Sequence, residues 1–351
     1  MKALFIMPTA SSFMKTDLEI LGEIMPTKGV FLHQNKDKAK YLLNVIKMVF
    51  TLIISPKTKL ALCWFADYHA AAMVMICRLL NKKSIVMLGG YDAVHYPEFE
   101  YGVYHHKWRS RFASYALRNC SHIVAIHEDL LSSDNLYYNP EGHPEGVFRL
   151  VKELKTPASV LHNCLTKEPQ IKPQEIREKQ ILCVGTTPRF QDFYNKGYDM
   201  LIAAAKHFSD WKFIFVGIDD RWLSQIEEIF QISKMNNIEI HSVLPHEKVL
   251  ELMAISDIYA QISISEGMPY SLVEAMFMGC KPIGSKVTGI PTIMGDWGVV
   301  CAHRDEKLVI QALQELMDQE IDRDAMSADI KQRFSPSVRA KKLFEIIERV
   351  I

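Results

Sequence analysis

The chain has 351 residues, of which 48% are apolar and 23% are charged, a composition typical of globular proteins and not of disordered ones. This length accommodates two domains of ordinary size, each with its own core. The formal net charge is zero at pH 7, so the overall charge gives no reason to expect a nucleic-acid partner, and none is expected.

The two halves of the chain nevertheless differ in charge. Residues 1–165 contain 19 Lys or Arg and 14 Asp or Glu, whereas residues 166–351 contain 22 and 27. The basic excess is largest from Lys36 to Arg118, with 13 basic and 5 acidic residues. This excess favours an anionic membrane surface or a phosphorylated lipid as a partner. An ordinary solvated face is the alternative.

The cysteines and the apolar segments indicate which cellular compartment to expect. The seven cysteines form no C-x-x-C pair and lie mostly in apolar runs, which predicts small core residues in a reducing compartment. The apolar run Lys2–Met7 is too short for a signal peptide and predicts a first strand. The most apolar stretch, Tyr41–Ile54, is too short to span a bilayer. We therefore expect a cytoplasmic protein, and peripheral binding to the inner face of the cell membrane stays open.

The first half alternates strand and helix patterns. Lys2–Met7, Leu60–Phe65, Ser84–Leu88 and Ile123–Ile126 have the composition of strands, and the helical segments between them predict a parallel sheet. No Gly-x-Gly-x-x-Gly follows the first strand, which argues against a typical dehydrogenase. Lys36–Lys59 predicts an apolar helix with lysines at both ends. It suits a buried packing element or, alternatively, an interfacial helix on anionic lipid.

Two further stretches of the chain concern its organisation. Gly89–Pro97 is a loop after a strand and contains Asp92 and His95, and loops at strand ends often carry function. Thr166–Lys179 is rich in charge and contains two prolines, a linker composition. We therefore predict a first domain of residues 1–165, a second of 166–335, and a C-terminal helix, 336–351, that packs back on the first domain.

The most informative stretch runs from Ile258 to Gly289. Apolar and polar residues alternate from Ile258 to Ile264, which predicts a strand, and Glu266 follows at its carboxyl end. A helix is predicted to begin at Ser271. In open parallel sheets, ligands bind outside the carboxyl ends of strands, where helix N-termini present N–H groups to phosphate.

Two carboxylates, Glu266 and Glu274, flank this loop and helix start. Each has a purely structural alternative. Ser271-x-x-Glu274 matches a capping box, in which Glu274 bonds to the backbone at Ser271, and Glu266 is alternatively a solvated loop residue.

The segment EGMPYSLVEAMFMGCKPIGSKVTGIPTIMG resembles the donor-site signature of the retaining glycosyltransferases of family 4, also called glycosyl transferases group 1. The resemblance rests on Glu266 and Glu274 at their spacing and on the later Gly289-Ile290-Pro291. It implies an α/β fold of the GT-B type, two Rossmann-like domains facing each other across a cleft. It also implies transfer of a sugar from a nucleotide sugar.

The resemblance assigns roles to individual residues. It implies that Glu266 holds hydroxyls of the donor sugar and that Glu274 holds the ribose. Lys196, in a Lys-Gly pair, is expected to hold the donor diphosphate, and Arg189, displaced from the family position, is a weaker candidate. Asp92 and His95 are expected near the sugar and acceptor. The remaining expected donor contacts lie in the loop, at the helix start and after the first strand of the second domain: Gly267, Met268, Pro269, Ser271, Leu272 and Gly185.

The resulting hypothesis is a metal-independent, retaining hexosyltransferase without a cofactor. Its expected partners are a nucleotide-sugar donor, a glycan or lipid-linked acceptor and an anionic membrane surface, and its expected setting is cell-surface polysaccharide biosynthesis. Two alternatives stay open. One is a sugar-nucleotide epimerase of the same fold. The other is a non-catalytic partner subunit, favoured by the altered segment from Gly185 to Arg189.

Overall fold

Two six-stranded parallel sheets organise the chain. The computed structural model describes residues 2–34, 37–165 and 169–351. Its first unit comprises Met1–Asp134, Pro144–Thr166 and Phe334–Ile351, and its second comprises Asn135–His143 and Lys167–Arg333. The segment from 135 to 143, which the sequence-based division placed in the first domain, groups here with the second. The start of the predicted linker, 166–168, and Lys36 lie outside the described residues.

The first unit is built on a sheet with the strand order β2-β1-β3-β4-β5-β8. Strands such as β1 and β3 are buried along almost their whole length, as expected where helices cover both faces of a parallel sheet. Two short strands of two residues each, β6 and β7, pair antiparallel in a separate sheet. The elements up to β8 are β1 Lys2–Met7, α1 Ser12–Ile24, β2 Thr27–Phe31, α2 Lys38–Ile54, β3 Thr58–Trp64, α3 Tyr68–Leu79, β4 Lys83–Leu88, α4 Lys107–Asn119, β5 His122–Ala125, β6 Ser133–Asp134, β7 Pro144–Glu145, α5 Val147–Leu150 and β8 Ala158–Val160.

The second unit has the strand order β11-β10-β9-β12-β13-β14. Numbered within the unit, this is the 3-2-1-4-5-6 order of a Rossmann fold. Its elements are β9 Glu178–Val184, α6 Gln191–Asn195, α7 Tyr198–Ala205, β10 Lys212–Val216, α8 Leu223–Phe230, β11 Ile238–His241, α9 His246–Ile255, β12 Ser256–Gln261, α10 Tyr270–Phe277, β13 Lys281–Ser285, α11 Gly289–Met294, β14 Val299–Cys301, α12 Glu306–Asp318 and α13 Arg323–Arg333. The predicted α/β class with two Rossmann-like domains is confirmed.

The last helix, α14 Pro336–Val350, returns to the first unit. Pro336 occupies its first turn and the Ser335 hydroxyl accepts from the Val338 N–H, a favourable helix start. Buried Arg339 donates to both carboxylate oxygens of buried Asp17 in α1, at 2.6 and 2.9 Å. This ion pair fixes α14 against α1.

The seven cysteines are all buried and free, which confirms their prediction as core residues. No helix within the described ranges is long and apolar enough to cross a bilayer.

The stretch around Glu266 departs from the sequence prediction. The strand predicted to end at Ile264 ends at Gln261. Ile262 and Ile264 are fully buried, which explains the apolar alternation. However, the Ile264 N–H donates to the Asn195 carbonyl and not to a neighbouring strand.

Candidate functional site

The candidate site lies where the strand order of the second sheet reverses. β9 and β12 are neighbours there, and their connections run in opposite directions along the sheet. Ligands of Rossmann-like folds bind outside the carboxyl ends of the strands at this switch point. Gly185 directly follows β9, and Glu266 follows β12 by five residues. The topology therefore brings two predicted site residues, 81 positions apart in the sequence, to one edge of the sheet.

Lys196 and Glu266 form an ion pair at this edge. The Lys196 Nζ lies 2.5 Å from Glu266 Oε1, and the two side chains are 22% and 14% exposed. The same carboxylate oxygen accepts from Gln261 Nε2 at 3.1 Å and from the Ser263 hydroxyl at 3.0 Å. Glu266 is therefore not a solvated loop residue.

The charge of Lys196 is stabilised by its surroundings. Burial lowers the pKa of Lys196, but the nearby Glu266 carboxylate and its hydrogen bond outweigh burial, and the pKa of Lys196 lies above its usual value. The ammonium group therefore stays protonated throughout the physiological range. A fixed cation at the carboxyl edge of the sheet suits an anionic ligand.

Two glycines allow Lys196 to take this position. A Cβ at Gly185 would lie 3.0 Å from Lys196 Cδ and 3.2 Å from the Tyr198 hydroxyl. Gly197 has φ +72°, and a Cβ there would lie 2.4 Å from the Ile262 carbonyl. Side chains at these positions would therefore displace the lysine or the loop after β12.

Glu274 does not form the alternative capping box. α10 begins at Tyr270 after Pro269, without a side-chain cap, so Ser271 lies within the helix. The Ser271 hydroxyl donates to Gln261 Oε1 at 3.3 Å. Glu274 Oε1 lies 2.9 Å from His246 Nε2 at the start of α9. The carboxylate thus faces the same edge of the sheet as Glu266.

The hydrogen bond from His246 to Glu274 raises the pKa of His246 above its usual value, although partial burial opposes this effect. His246 was missed by the sequence analysis because no local pattern links it to Glu274, 28 residues away. The only available signal is its position at a helix start after β11, another strand that ends at this edge.

The loop between β12 and α10 is held by backbone contacts. Asn195 accepts from the Ile264 N–H at 2.7 Å through its carbonyl and from the Ser265 N–H at 3.1 Å through Oδ1. Asn135 Nδ2 donates to the Ile264 carbonyl at 2.7 Å. The Gly267 carbonyl accepts from the Gly289 N–H at 3.0 Å. These contacts hold the loop that carries Glu266 in one conformation, and two of the residues that make them, Asn135 and Asn195, were not singled out from the sequence.

Three other predicted residues of this loop and helix start, Met268, Pro269 and Leu272, are buried. The side chains of Met268 and Leu272 are buried in the core, so only their backbone suits a ligand contact. Pro269 precedes the first turn of α10. The first-turn N–H groups of a helix lack carbonyl partners within the helix and favour anions.

Arg189 is held by a neighbouring acid. Its Nη2 lies 2.5 Å from Asp192 Oδ1, and its backbone N–H donates to Asp192 Oδ2 at 2.9 Å. The guanidinium is about one-third exposed. Any phosphate at Arg189 would share the cation with Asp192, so this residue is a weaker anion site than Lys196.

Asp92 is fully buried in the first unit. Its carboxylate accepts from the N–H groups of Ala66, Gly89 and Gly90 at 2.9, 2.9 and 3.1 Å. Burial raises the pKa of Asp92 to about 6, although these hydrogen bonds oppose the shift. Asp92 therefore fixes the loops after β3 and β4, and its carboxylate has no surface open to a ligand.

His95 lies in the same loop after β4 as Asp92. It is half-buried and lines a depression of about 410 Å³. The other residues that line it are Tyr104, Ser110, Arg111, Ser114, Arg118 and Leu150. The geometry thus brings His95 together with basic residues of α4.

The comparisons with known proteins agree with this geometry. The family model of glycosyl transferases group 1 matches residues 167–333. This part of the chain, which carries Lys196, Glu266 and Glu274, is therefore similar to the glycosyl transferases group 1 family. The predicted resemblance to that group is confirmed.

Two curated relatives are similar over part of the chain. The phosphatidylinositol N-acetylglucosaminyltransferase gpi3 subunit of Schizosaccharomyces pombe is 26% identical over 54% of this chain and 43% of the relative. The N-acetyl-alpha-D-glucosaminyl L-malate synthase of Bacillus anthracis is 32% identical over 35% of this chain and 33% of the relative. The matches thus span less than half the length of these relatives.

Solved structures match the whole chain. Sucrose-phosphate synthase of Thermosynechococcus elongatus has a TM-score of 0.72 at 11% identity and covers 100% of this chain and 99% of its own. Anabaena HepE in complex with UDP and glucose has a TM-score of 0.69 at 15% identity, and the match covers 99% of this chain and 100% of the HepE chain. At such low identity these similarities concern the fold, which is the predicted GT-B type.

Proposed function

We propose that the chain is a retaining glycosyltransferase that moves a hexose from a nucleoside-diphosphate sugar to a glycan or lipid-linked acceptor. One observation carries the proposal: a half-buried cation paired with a carboxylate, Lys196 with Glu266, lies with Glu274 at the switch point of a Rossmann-like sheet. This set offers acceptors for sugar hydroxyls and a cation for phosphate.

Each residue has a role that its contacts support. Glu274 is the acceptor for ribose hydroxyls, and His246 orients its carboxylate. Glu266 is the acceptor for hydroxyls of the donor sugar. Lys196 pairs with Glu266 in this structure, and with donor bound it also contacts the diphosphate. Its positive charge then stabilises the negative charge that develops on the leaving phosphate.

Retention and metal independence belong to the same proposal. Lys196 and the first turn of α10 neutralise the leaving diphosphate, a task that a divalent cation performs elsewhere. The leaving phosphate takes the proton of the acceptor hydroxyl as the new bond forms on the same face of the sugar. Activity should therefore persist in EDTA, and the product should keep the anomeric configuration of the donor.

The donor nucleotide we propose is UDP. HepE is solved with UDP and glucose, and the names of both curated relatives contain an N-acetylglucosaminyl group. UDP-glucose and UDP-N-acetylglucosamine are therefore the first donors to test. We further propose that the protein is cytoplasmic and reaches acceptors at the inner face of the cell membrane, in cell-surface polysaccharide biosynthesis.

Ligand-induced thermal stabilisation tests the donor site. A ligand at about 100 times its dissociation constant stabilises the folded state by roughly 2.7 kcal/mol, so UDP and its sugars should raise Tm. Glu274→Gln should weaken UDP and UDP-sugar binding alike, by about 10- to 100-fold, because it removes a charged hydrogen-bond acceptor. Glu251→Gln is the matched control, since Glu251 pairs with Lys248 on α9. Unchanged UDP affinity in a folded Glu274→Gln variant would exclude the ribose role.

Product analysis separates the proposal from its alternatives. Labelled UDP-sugar with a glycan acceptor should give a labelled glycan and UDP. Conversion of the sugar without an acceptor would indicate an epimerase. Donor binding without turnover against a broad acceptor panel would indicate a non-catalytic subunit.

A further inference from the structure

Three helices of the first unit lie on one face of its sheet. The crossovers from β2 to β3, β3 to β4 and β4 to β5 all run in one direction along the sheet, opposite to that from β1 to β2. Right-handed crossovers therefore place α2, α3 and α4 on one face and α1 on the other. α3 packs between α2 and α4. We call the outer sides of α2, α3 and α4 together the helical face.

α2 is apolar on its outward side as well as its inward side. Met48 and Leu52 are fully buried, which accounts for the packing of the helix on the sheet. Its outward residues nevertheless include large apolar side chains that are 43–73% exposed: Leu42, Leu43, Ile46, Phe50, Ile53 and Ile54. These residues recur at helical spacing and form a stripe. A soluble surface helix normally has a polar outward side, and a contiguous exposed apolar surface marks an interaction site.

The apolar surface continues across α3 and α4. Between these two helices lies a groove of about 480 Å³. Its lining includes Met75, Trp108, Phe112 and Tyr115, of which Trp108 is 61% exposed. The Arg111 guanidinium lies over the Trp108 ring, 5.0 Å from its centroid. Aromatic rings next to cationic groups are typical of the boundary between lipid headgroups and acyl chains.

The charge on these helices has one sign. The segments Lys38–Ile54, Tyr68–Leu79 and Lys107–Asn119 contain no Asp or Glu. They contain eight basic residues, Lys38, Lys40, Lys47, Arg78, Lys107, Arg109, Arg111 and Arg118. Arg109 is neutralised by Asp67 at the start of α3. The other seven give the helical face a positive potential around its apolar surface.

We propose that the helical face is a membrane-docking surface that binds an anionic lipid bilayer. Its apolar side chains enter the boundary between headgroups and acyl chains while its lysines and arginines contact lipid phosphates. The charge argues against a second copy of this chain as the occupant, because a twofold contact through the same face would oppose two basic surfaces. This proposal concerns where the chain docks and is independent of the sugar-transfer proposal.

Vesicle co-sedimentation of the full chain tests the proposal. Vesicles of phosphatidylcholine alone and with about one-third phosphatidylglycerol are compared at 0.05 M and 0.5 M NaCl. Binding should require the anionic lipid and weaken with salt, because salt screens the charges. The triple variant Lys40→Glu, Lys47→Glu and Arg111→Glu should lose at least about 100-fold in partitioning, since each basic residue near the surface contributes about one factor of five. The matched control is Lys206→Glu, Lys212→Glu and Lys307→Glu, exposed lysines of the second unit.

A second pair of variants tests the apolar part. Phe50→Ser with Ile54→Ser should reduce binding to anionic vesicles about tenfold or more, whereas Ile229→Ser with Val243→Ser, which alters exposed apolar residues of the second unit, should not. Vesicles should shift the tryptophan emission to shorter wavelengths, and Trp108→Phe should abolish the shift.

Three results would overturn the proposal. The first is no binding to anionic vesicles at low salt. The second is equal binding by the helical-face variants and their controls. The third is a dimer in solution that Phe50→Ser with Ile54→Ser dissociates, because the face would then be occupied by a second copy.

Discussion

Lys196 offers a test that separates a ligand contact from a structural contact. Its ammonium group bonds to Glu266, which also accepts from the neutral Gln261 and Ser263 groups. Lys196→Met would leave the carboxylate without its cation. Breaking a buried pair in this way costs about 3–5 kcal/mol. Since both side chains are partly exposed, solvent screening reduces the expected loss of stability to about 2–3 kcal/mol.

The effect on catalysis has a different origin. If Lys196 stabilises the charge on the leaving diphosphate, its removal should lower kcat by about 10²- to 10³-fold, as for other preorganised charge-stabilising groups. UDP affinity should fall as well. Arg189→Met is the comparison, because Arg189 is already paired with Asp192, and its effect on both quantities should be clearly smaller.

The double variant Lys196→Met with Glu266→Gln distinguishes the two contributions. Glutamine removes the unpaired charge, so the free energy of unfolding should recover to within about 1 kcal/mol of the original protein. UDP affinity, which depends on Lys196 and not on the sugar-binding Glu266, should stay low. Chemical denaturation measures the first quantity and calorimetric titration with UDP the second. Recovery of UDP affinity together with stability would refute a direct contact between Lys196 and the diphosphate.

Two predictions concern pH. Burial raises the pKa of Asp92 to about 6, whereas an unfolded Asp has a pKa of about 3.9. Between these two pH values the folded chain keeps a proton that the unfolded chain has lost. The contribution of Asp92 to stability is therefore full below about pH 4 and falls by roughly 3 kcal/mol as pH rises through 6. Denaturation of the protein and of Asp92→Asn between pH 4 and 7.5 should show this fall only in the former, and an equal fall in both would assign it to other groups. The hydrogen bond to Glu274 raises the pKa of His246, so its contribution to stability is full below about pH 6.5 and is lost as pH rises through the raised value. An NMR titration of His246 should show a lower midpoint in Glu274→Gln, and an unchanged midpoint would contradict the contact.

The sequence predicted what depends on local pattern. An apolar run identified β1 at its correct bounds, because a strand that is buried on both faces of a parallel sheet is apolar along its length. Period-two alternation was misleading at Ile262 and Ile264, where it predicted a strand. Both lie in a loop and are buried. A buried position favours an apolar residue whether it lies in a strand or in a loop, so the sequence pattern is the same. The true end of β12 at Gln261 is set by the bond between Ile264 and Asn195, which no local pattern encodes.

The partners of the two glutamates could not be predicted for a related reason. Glu266 and Glu274 are eight positions apart and stand out in one motif, whereas His246 and Lys196 come from the ends of other strands. Only the strand order 3-2-1-4-5-6 places these ends together. Lys196 was found because its Lys-Gly pair resembles the family pattern, while His246 has no such signature.

The outward side of α2 is another feature that the sequence alone could not predict. From the sequence, an apolar helix with lysine flanks is equally suited to burial within a domain and to a lipid surface, because both environments select the same side chains. What separates them is whether another element covers the second side of the helix. Phe50 and Ile54 are 60% and 73% exposed although Leu52 between them is fully buried. Burial of α2 within a domain would not explain why its neighbours α3 and α4 also lack acidic residues. An anionic lipid surface repels acidic side chains, so their absence from all three helices favours lipid binding.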